Sequence, residues 1–170
     1  VLWGAFGTTG QRCTATSRLV LHRKVHDRFL TRLAEAAEAL KLGDGRQEKT
    51  DVGPLIHEAA REKVERYVAI GQKEGSELVT GGKAPGGRLS QGWYYQPTVF
   101  AGVKPKSRLE QEEILGPVLS VVRVESFDEA VEVVVCKRDV RIELDDDVRV
   151  SRHMLEPGVE RPDDRAAAHD

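Results

Sequence analysis

Phe6-Gly7-Thr8-Thr9-Gly10-Gln11-Arg12-Cys13, continued by Thr14-Ala15-Thr16-Ser17-Arg18-Leu19, decides how this chain is read. A cysteine follows a glycine-rich turn and precedes an apolar run. Ser17 to Arg23 reads as a short buried strand, so the cysteine sits in a turn that feeds a strand. Gly7 and Gly10 permit a tight backbone approach, of the kind that can aim amide N–H groups at Cys13 and at a reacting carbonyl oxygen. A thiolate is a strong nucleophile, but a free cysteine titrates near about pH 8.5. A reacting cysteine therefore needs a positive potential or a base beside it. Without those neighbours, a lone intracellular cysteine is most often a small buried hydrophobe.

The stretches beyond the turn alternate between two periods. Val25 to Leu42 places Val25, Phe29, Leu33, Ala36 and Leu40 three or four apart, which predicts a helix closed by Gly43. Asp44 to Pro54 is polar and reads as a loop. His57 to Glu74 predicts a second helix with Ala60, Val64, Tyr67 and Ile70 on one face and Gly75 as its stop. Glu77 to Thr80 is a short strand before Gly81-Gly82, and Lys83 to Gly92 is a Gly/Pro-rich loop. Trp93 to Phe100 is strand-like, and its Pro97 predicts a sheet edge or a bulge. Val118 to Val124 is almost continuously apolar, as a strand covered on both faces would be. Phe127 to Val134 reads as the next helix. Strands alternating with helices predict an α/β fold with a mainly parallel sheet flanked by helices.

The last stretch breaks the pattern. Residues 136–170 are charged at about half their positions, lack aromatics, and carry Asp145-Asp146-Asp147. Val140, Ile142 and Leu144 alternate with polar residues, enough for one edge strand. Beyond Pro157 the composition is too polar to bury itself, so this charged tail is expected to be partly disordered. Two units follow: residues 1–135 with a core, and the tail 136–170.

Composition narrows the partners. The 170 residues carry a formal net charge of -2, with 39% hydrophobic and 32% charged residues. That balance gives no reason to expect nucleic acid or an anionic membrane. No apolar run approaches the roughly 18 residues of a membrane span. Cys13 and Cys136 make no disulfide framework, which fits a reducing, cytoplasmic setting. His22, His26 and His57 lack metal-ligand spacing and read as structural or solvated; no metal is expected. Trp3 and Trp93 are expected in the core.

Several ordered motifs share one likeness. They are the cysteine octapeptide with Thr14 to Leu19, Gly53-Pro54-Leu55-Ile56 ahead of Lys63-Val64, and Gly81-Gly82. Further along come Gly92-Trp93-Tyr94-Tyr95-Gln96-Pro97-Thr98-Val99, Glu112-Glu113-Ile114-Leu115-Gly116-Pro117-Val118-Leu119-Ser120, and Phe127-Asp128-Glu129-Ala130. In this order they resemble the aldehyde dehydrogenase superfamily over residues 1–135, as a partial catalytic domain. The resemblance implies oxidation of an aldehyde to a carboxylic acid with NAD or NADP, through a cysteine thiohemiacetal and thioester. Cys13 matches the nucleophile, with its own N–H as one oxyanion donor. Glu113 matches the carboxylate that holds the nicotinamide ribose hydroxyls, although taken alone it reads as a solvated acid beside Glu110 and Glu112. Leu115 stands where the family usually has phenylalanine beside the nicotinamide. Arg12 and Thr14 flank the nucleophile, where family members line the substrate tunnel, although taken alone Arg12 reads equally as a surface charge.

The family's cofactor domain, general-base glutamate, oxyanion asparagine and oligomerisation arm have no counterpart in these 170 residues. The resemblance therefore implies an isolated chain that is inactive alone. Its alternatives are an oligomerising interaction module, a weak Cys13-dependent esterase, or a thiol redox sensor. The break near Cys136 is also what a frameshift would leave, and reading the coding DNA in the other frames tests that.

Overall fold

The computed structural model describes residues 1–135. The expected edge strand around Val140 to Leu144 and the expected disorder of the tail lie outside the described residues, as does Cys136.

A short helix, α1 (Leu2–Phe6), precedes the turn that carries Cys13. Then come β1 (Arg18–His22), α2 (Arg23–Glu38), α3 (Glu58–Lys73) and β2 (Glu77–Thr80). They are followed by β3 (Thr98–Ala101), α4 (Arg108–Gln111), β4 (Val118–Val124) and α5 (Phe127–Val135), with one 3₁₀ turn at Gly87–Gln91. The strands form one sheet in the order β1-β4-β3-β2. β1 and β3 both run parallel to β4, and β2 pairs antiparallel with β3. The predicted α/β, mainly parallel architecture is the observed one.

The β4 side chains divide the core in two. Val118, Val122 and Val124 face the cluster built with Val64 and Val68 of α3 and Val133 of α5. Leu119 and Val121 face Ala5 and Phe6 of α1 and Leu33 and Ala37 of α2. The period of two thus fills both faces of the central strand, which explains its unbroken apolar run.

Four expectations need correction. The buried face of α2 is His26, Leu33 and Ala37: Leu33 is buried as the stripe predicts, but Val25 and Phe29 are exposed, and His26 and Ala37 are buried beside the predicted positions. α2 also ends at Glu38 rather than near Gly43. Residues 41–43 are drawn off by a neighbouring segment: the Lys41 N–H donates to Asp51 Oδ2 (2.8 Å), and the Gly43 N–H to the Val52 carbonyl (3.1 Å). Pro97 precedes β3, which lies inside the sheet between β4 and β2 and not at an edge; an irregularity does occur in its pairing with β2, but on the β2 side, where the register shifts between Leu78 and Thr80. The tryptophans are not core. Trp3 is 75% exposed and Trp93 42% exposed; the Trp3 ring lies across Gly7, which covers only part of it.

The histidines do structural work. His22 Nδ1 accepts from the Lys24 N–H (3.3 Å) at the start of α2, and His57 Nδ1 from the Ala60 N–H (3.0 Å) at the start of α3. His26 is buried and paired through Nδ1 with Asp27 Oδ1 at 2.7 Å. Gly75 closes α3 in the left-handed conformation, φ +83, as its position predicts. No helix among the described residues is long and apolar enough to cross a membrane.

Candidate active site

Two consecutive turns carry Cys13. In the first, the Gln11 N–H donates to the Thr8 carbonyl (3.1 Å), and Thr9 and Gly10 both have positive φ, 58 and 67. Positive φ at both central positions is the type I′ arrangement, which costs glycine nothing and threonine a left-handed backbone. In the second turn the Ala15 N–H donates to the Arg12 carbonyl (3.0 Å), which puts Cys13 and Thr14 at its two central positions. The Thr16 N–H then donates to the Gly4 carbonyl (2.9 Å), tying the turn back to α1.

The first turn is held from outside. Thr9 Oγ1 donates to the Gly53 carbonyl (3.2 Å), and Gln11 Nε2 to the Pro54 carbonyl (3.4 Å). Gln11 Oε1 accepts from the Ile56 N–H (2.9 Å). The Gly53 to Ile56 motif thus serves as a bracket for the cysteine turn. A second clamp is steric: a Cβ on Gly10 would lie 2.0 Å from the Gly116 carbonyl oxygen. Only glycine lets the two backbones approach this closely.

Gly116 belongs to the other motif. The segment Glu112 to Pro117 leads into β4 as the cysteine turn leads into β1. The strands are parallel neighbours with Arg18 opposite Ser120. Both turns therefore arrive side by side at the N-terminal edge of the sheet. Between them is a cavity of about 320 Å³ whose lining includes Arg12, Cys13, Glu113 and Leu115. These four predicted site residues come together over a separation of about 100 positions; Thr14 is exposed and outside the lining. Leu115 is itself left-handed, φ 54, and 40% exposed. A leucine held in that conformation is strained, and strain of this kind gathers at functional sites.

Beneath these groups lie contacts with no local sequence signal. Arg18 Nη1 pairs with Glu110 Oε1 at 2.6 Å; the Glu110 side chain is 1% exposed and that of Arg18 26%. Glu110 also accepts from the Lys106 N–H (3.1 Å) and from the Gln111 side-chain amide. Burial pushes the Glu110 carboxyl up, but the hydrogen bonds from Arg18, Gln111 and Lys106 outweigh it and hold the group below the usual carboxylate range. Glu112 accepts two bonds from Arg108 (2.8 and 2.9 Å) and one from the Tyr67 hydroxyl (2.5 Å). Arg108, then Tyr67, hold its carboxyl below the usual range, while burial and Glu112 push the Tyr67 phenol up. The residue before Glu113 is thereby anchored to α3 and α4.

Known proteins place this arrangement. The sequence model of the aldehyde dehydrogenase family matches residues 1–134. A 1-pyrroline-5-carboxylate dehydrogenase of Bacillus licheniformis is 46% identical over 133 residues, 78% of this chain and 25% of that protein. A betaine aldehyde dehydrogenase of Bacillus subtilis is 44% identical over 128 residues, 75% of this chain and 26% of that protein. Among solved structures, betaine aldehyde dehydrogenase from Staphylococcus aureus in complex with NAD+ matches with a TM-score of 0.76 at 34% identity, covering 78% of this chain and 26% of that one. The chain spans about a quarter of the length of the relatives it matches. With nearly all of the described residues matched in sequence and in fold, the chain belongs to the aldehyde dehydrogenase family.

Proposed function

We propose that residues 1–135 are the thiol-bearing portion of an aldehyde-oxidising site, with Cys13 as the nucleophile. The observation that carries this is the exposed Cys13 facing the same cavity as Glu113 and Leu115. The Cys13 sulfur adds to the aldehyde carbon, and the carbonyl π electrons move to oxygen, giving a thiohemiacetal. Loss of hydride from that carbon leaves a thioester on Cys13, and water cleaves it to the carboxylic acid and the free thiol. NAD or NADP, when bound, supplies the hydride acceptor. The residues present fit such a nucleotide: Glu113 is an exposed acceptor-only group suited to a ribose diol, and Leu115 offers apolar surface beside it. These residues form one wall only. The cofactor domain and general base implied by the family likeness have no counterpart among them, so this stretch by itself does not turn over aldehydes.

The relatives' names span a carboxylate-bearing substrate and a quaternary ammonium aldehyde, so family membership leaves the charge of the aldehyde open. Hydrolysis of p-nitrophenyl acetate tests the nucleophile without cofactor. The unaltered chain is expected to give an acyl burst at Cys13 and slow turnover, and Cys13→Ala to lose the burst. Equal burst and rate in the two proteins would remove Cys13 from the role. The loss of a general base alone is commonly worth 10²–10⁴-fold, so the turnover is slow.

A second reading, an oligomerising module, has its own support: Trp3, Ile56 and Phe127 are 75%, 73% and 80% exposed. Large apolar side chains left this open favour burial against another surface. Sedimentation velocity is expected to show a concentration-dependent dimer or higher species. A strict monomer at high concentration would end this reading.

A further inference from the structure

We propose that the aldehyde accepted at Cys13 carries a carboxylate, and that Arg12 is the residue that selects it. The inference rests on the nucleophile reading above and adds the chemical class of the substrate.

The cavity is lined by charges that are mostly compensated. Arg18 is paired with Glu110, and Glu112 with Arg108. Two charged lining residues make no ion pair among the described residues: Arg12, on the nucleophile turn, and Glu113, on the opposite segment. The residue with the uncompensated positive charge is thus the one just before Cys13 on the same turn, and the residue with the uncompensated negative charge is on the facing segment of the cavity. Arg12 is also anchored at its root. Its carbonyl closes the turn with Ala15, and its neighbour Gln11 is fixed to Pro54 and Ile56. A guanidinium on a fixed turn offers a planar pair of donors that matches a carboxylate in geometry as well as charge. The same group repels a cationic aldehyde, so it discriminates by attraction and by exclusion.

Arg12 has a simpler possible effect, which is to favour the thiolate of Cys13. That effect raises reactivity toward every electrophile alike. A ratio of rates for two electrophiles of the same shape, one anionic and one neutral, cancels it. Iodoacetate and iodoacetamide are such a pair: in each case sulfur displaces iodide, a C–S bond forms and a C–I bond breaks.

The test is the second-order alkylation rate at Cys13 with each reagent, read by peptide mass spectrometry on the full chain. The ratio of iodoacetate to iodoacetamide is expected to fall by about threefold or more in Arg12→Gln, the factor for one unit charge near the reacting atom in water. It is expected to survive in Arg12→Lys. In the unaltered chain the ratio is expected to fall as salt rises from about 0.01 M to about 1 M, where screening shortens from about 30 Å to about 3 Å. This salt series needs no variant and holds if Arg12→Gln does not fold. In parallel, 4-oxobutanoate is expected to protect Cys13 from iodoacetamide at lower concentration than butanal. A ratio indifferent to both Arg12→Gln and salt, with Cys13 still reactive in the folded chain, overturns the anion selection and leaves the nucleophile standing. Cys13 reacting with neither reagent faster than in the urea-unfolded chain overturns the nucleophile reading, and this inference falls with it.

Discussion

Gly10→Ala is expected to destabilise the chain by about 3 kcal/mol. Two costs add. The first is conformational: Gly10 has φ +67, where an L side chain is disfavoured by about 1–2 kcal/mol. The second is steric: the new Cβ would lie 2.0 Å from the Gly116 carbonyl oxygen and 2.5 Å from its carbon. Both are backbone atoms on the entry to β4, so no rotamer change relieves the overlap, and forced separation in a packed region costs about 1–3 kcal/mol. Gly45→Ala is the control, since nothing lies within 4 Å of its Cβ position and its φ is not positive. It is expected to stay within about 0.5 kcal/mol of the parent. Urea unfolding of the two variants and the parent measures the difference. Similar midpoints for Gly10→Ala and the parent would show that the two turns are not held together at this point.

Arg18→Ala is expected to cost about 3 kcal/mol near pH 7, because it leaves the Glu110 carboxylate buried without its cation. The partial exposure of Arg18 keeps the loss at the lower end of the range for buried pairs. The pH dependence separates this from simple loss of packing. The carboxyl of Glu110 is held below its ordinary value of 4.5, so its contribution is fully present above that pH. It is lost as pH falls through the lower, folded-state value. Removing Arg18 removes the leading hydrogen-bonding cause of that depression while burial still raises the carboxyl. The gap between parent and variant is therefore expected to be widest above about pH 5 and to narrow as pH drops below 4.5. Unfolding free energies at several pH values test this; a gap constant down to strong acid would mean that Arg18 acts through its alkyl chain.

The parts of this fold legible in the sequence are those set by nearest neighbours. β4 announced itself because every second residue fills a different half of the core, leaving Arg123 as its one exposed position. The α3 boundaries were legible because His57 and Gly75 act on backbone groups within a few residues of themselves. The α2 stripe holds at Leu33 but fails at Val25 and Phe29, which compete with His26 and Leu30 for the same turns of helix. Which set wins depends on the sheet beneath, not on the helix. The end of α2 was missed for a related reason: Asp51 and Val52 capture residues 41–43 from ten positions downstream.

The site divides in the same way. The motif likeness marked Arg12, Cys13, Thr14, Glu113 and Leu115, and the parallel pairing of β1 with β4 brings all of them but Thr14 to one cavity. The groups supporting them gave no signal. Arg18 and Glu110 are 92 residues apart, and Tyr67 and Glu112 are 45 apart. Each is an ordinary residue type whose partner is set only by tertiary structure. The left-handed backbone of Leu115 was equally silent, since nothing in a leucine favours that conformation.

The bracket around the cysteine turn also orders events in time. Its hydrogen-bonding partners lie 43 to 45 residues downstream, and Gly116 lies much further on. Contacts of such long range close late, because the loop entropy must be overcome before they contribute anything. The segment that leaves the ribosome early among these residues is thus among the last to take its final shape. Until the segment entering β4 docks, Cys13 lacks the cavity wall that carries Glu113 and Leu115. The cleft around this sulfur is consequently a property of the finished fold.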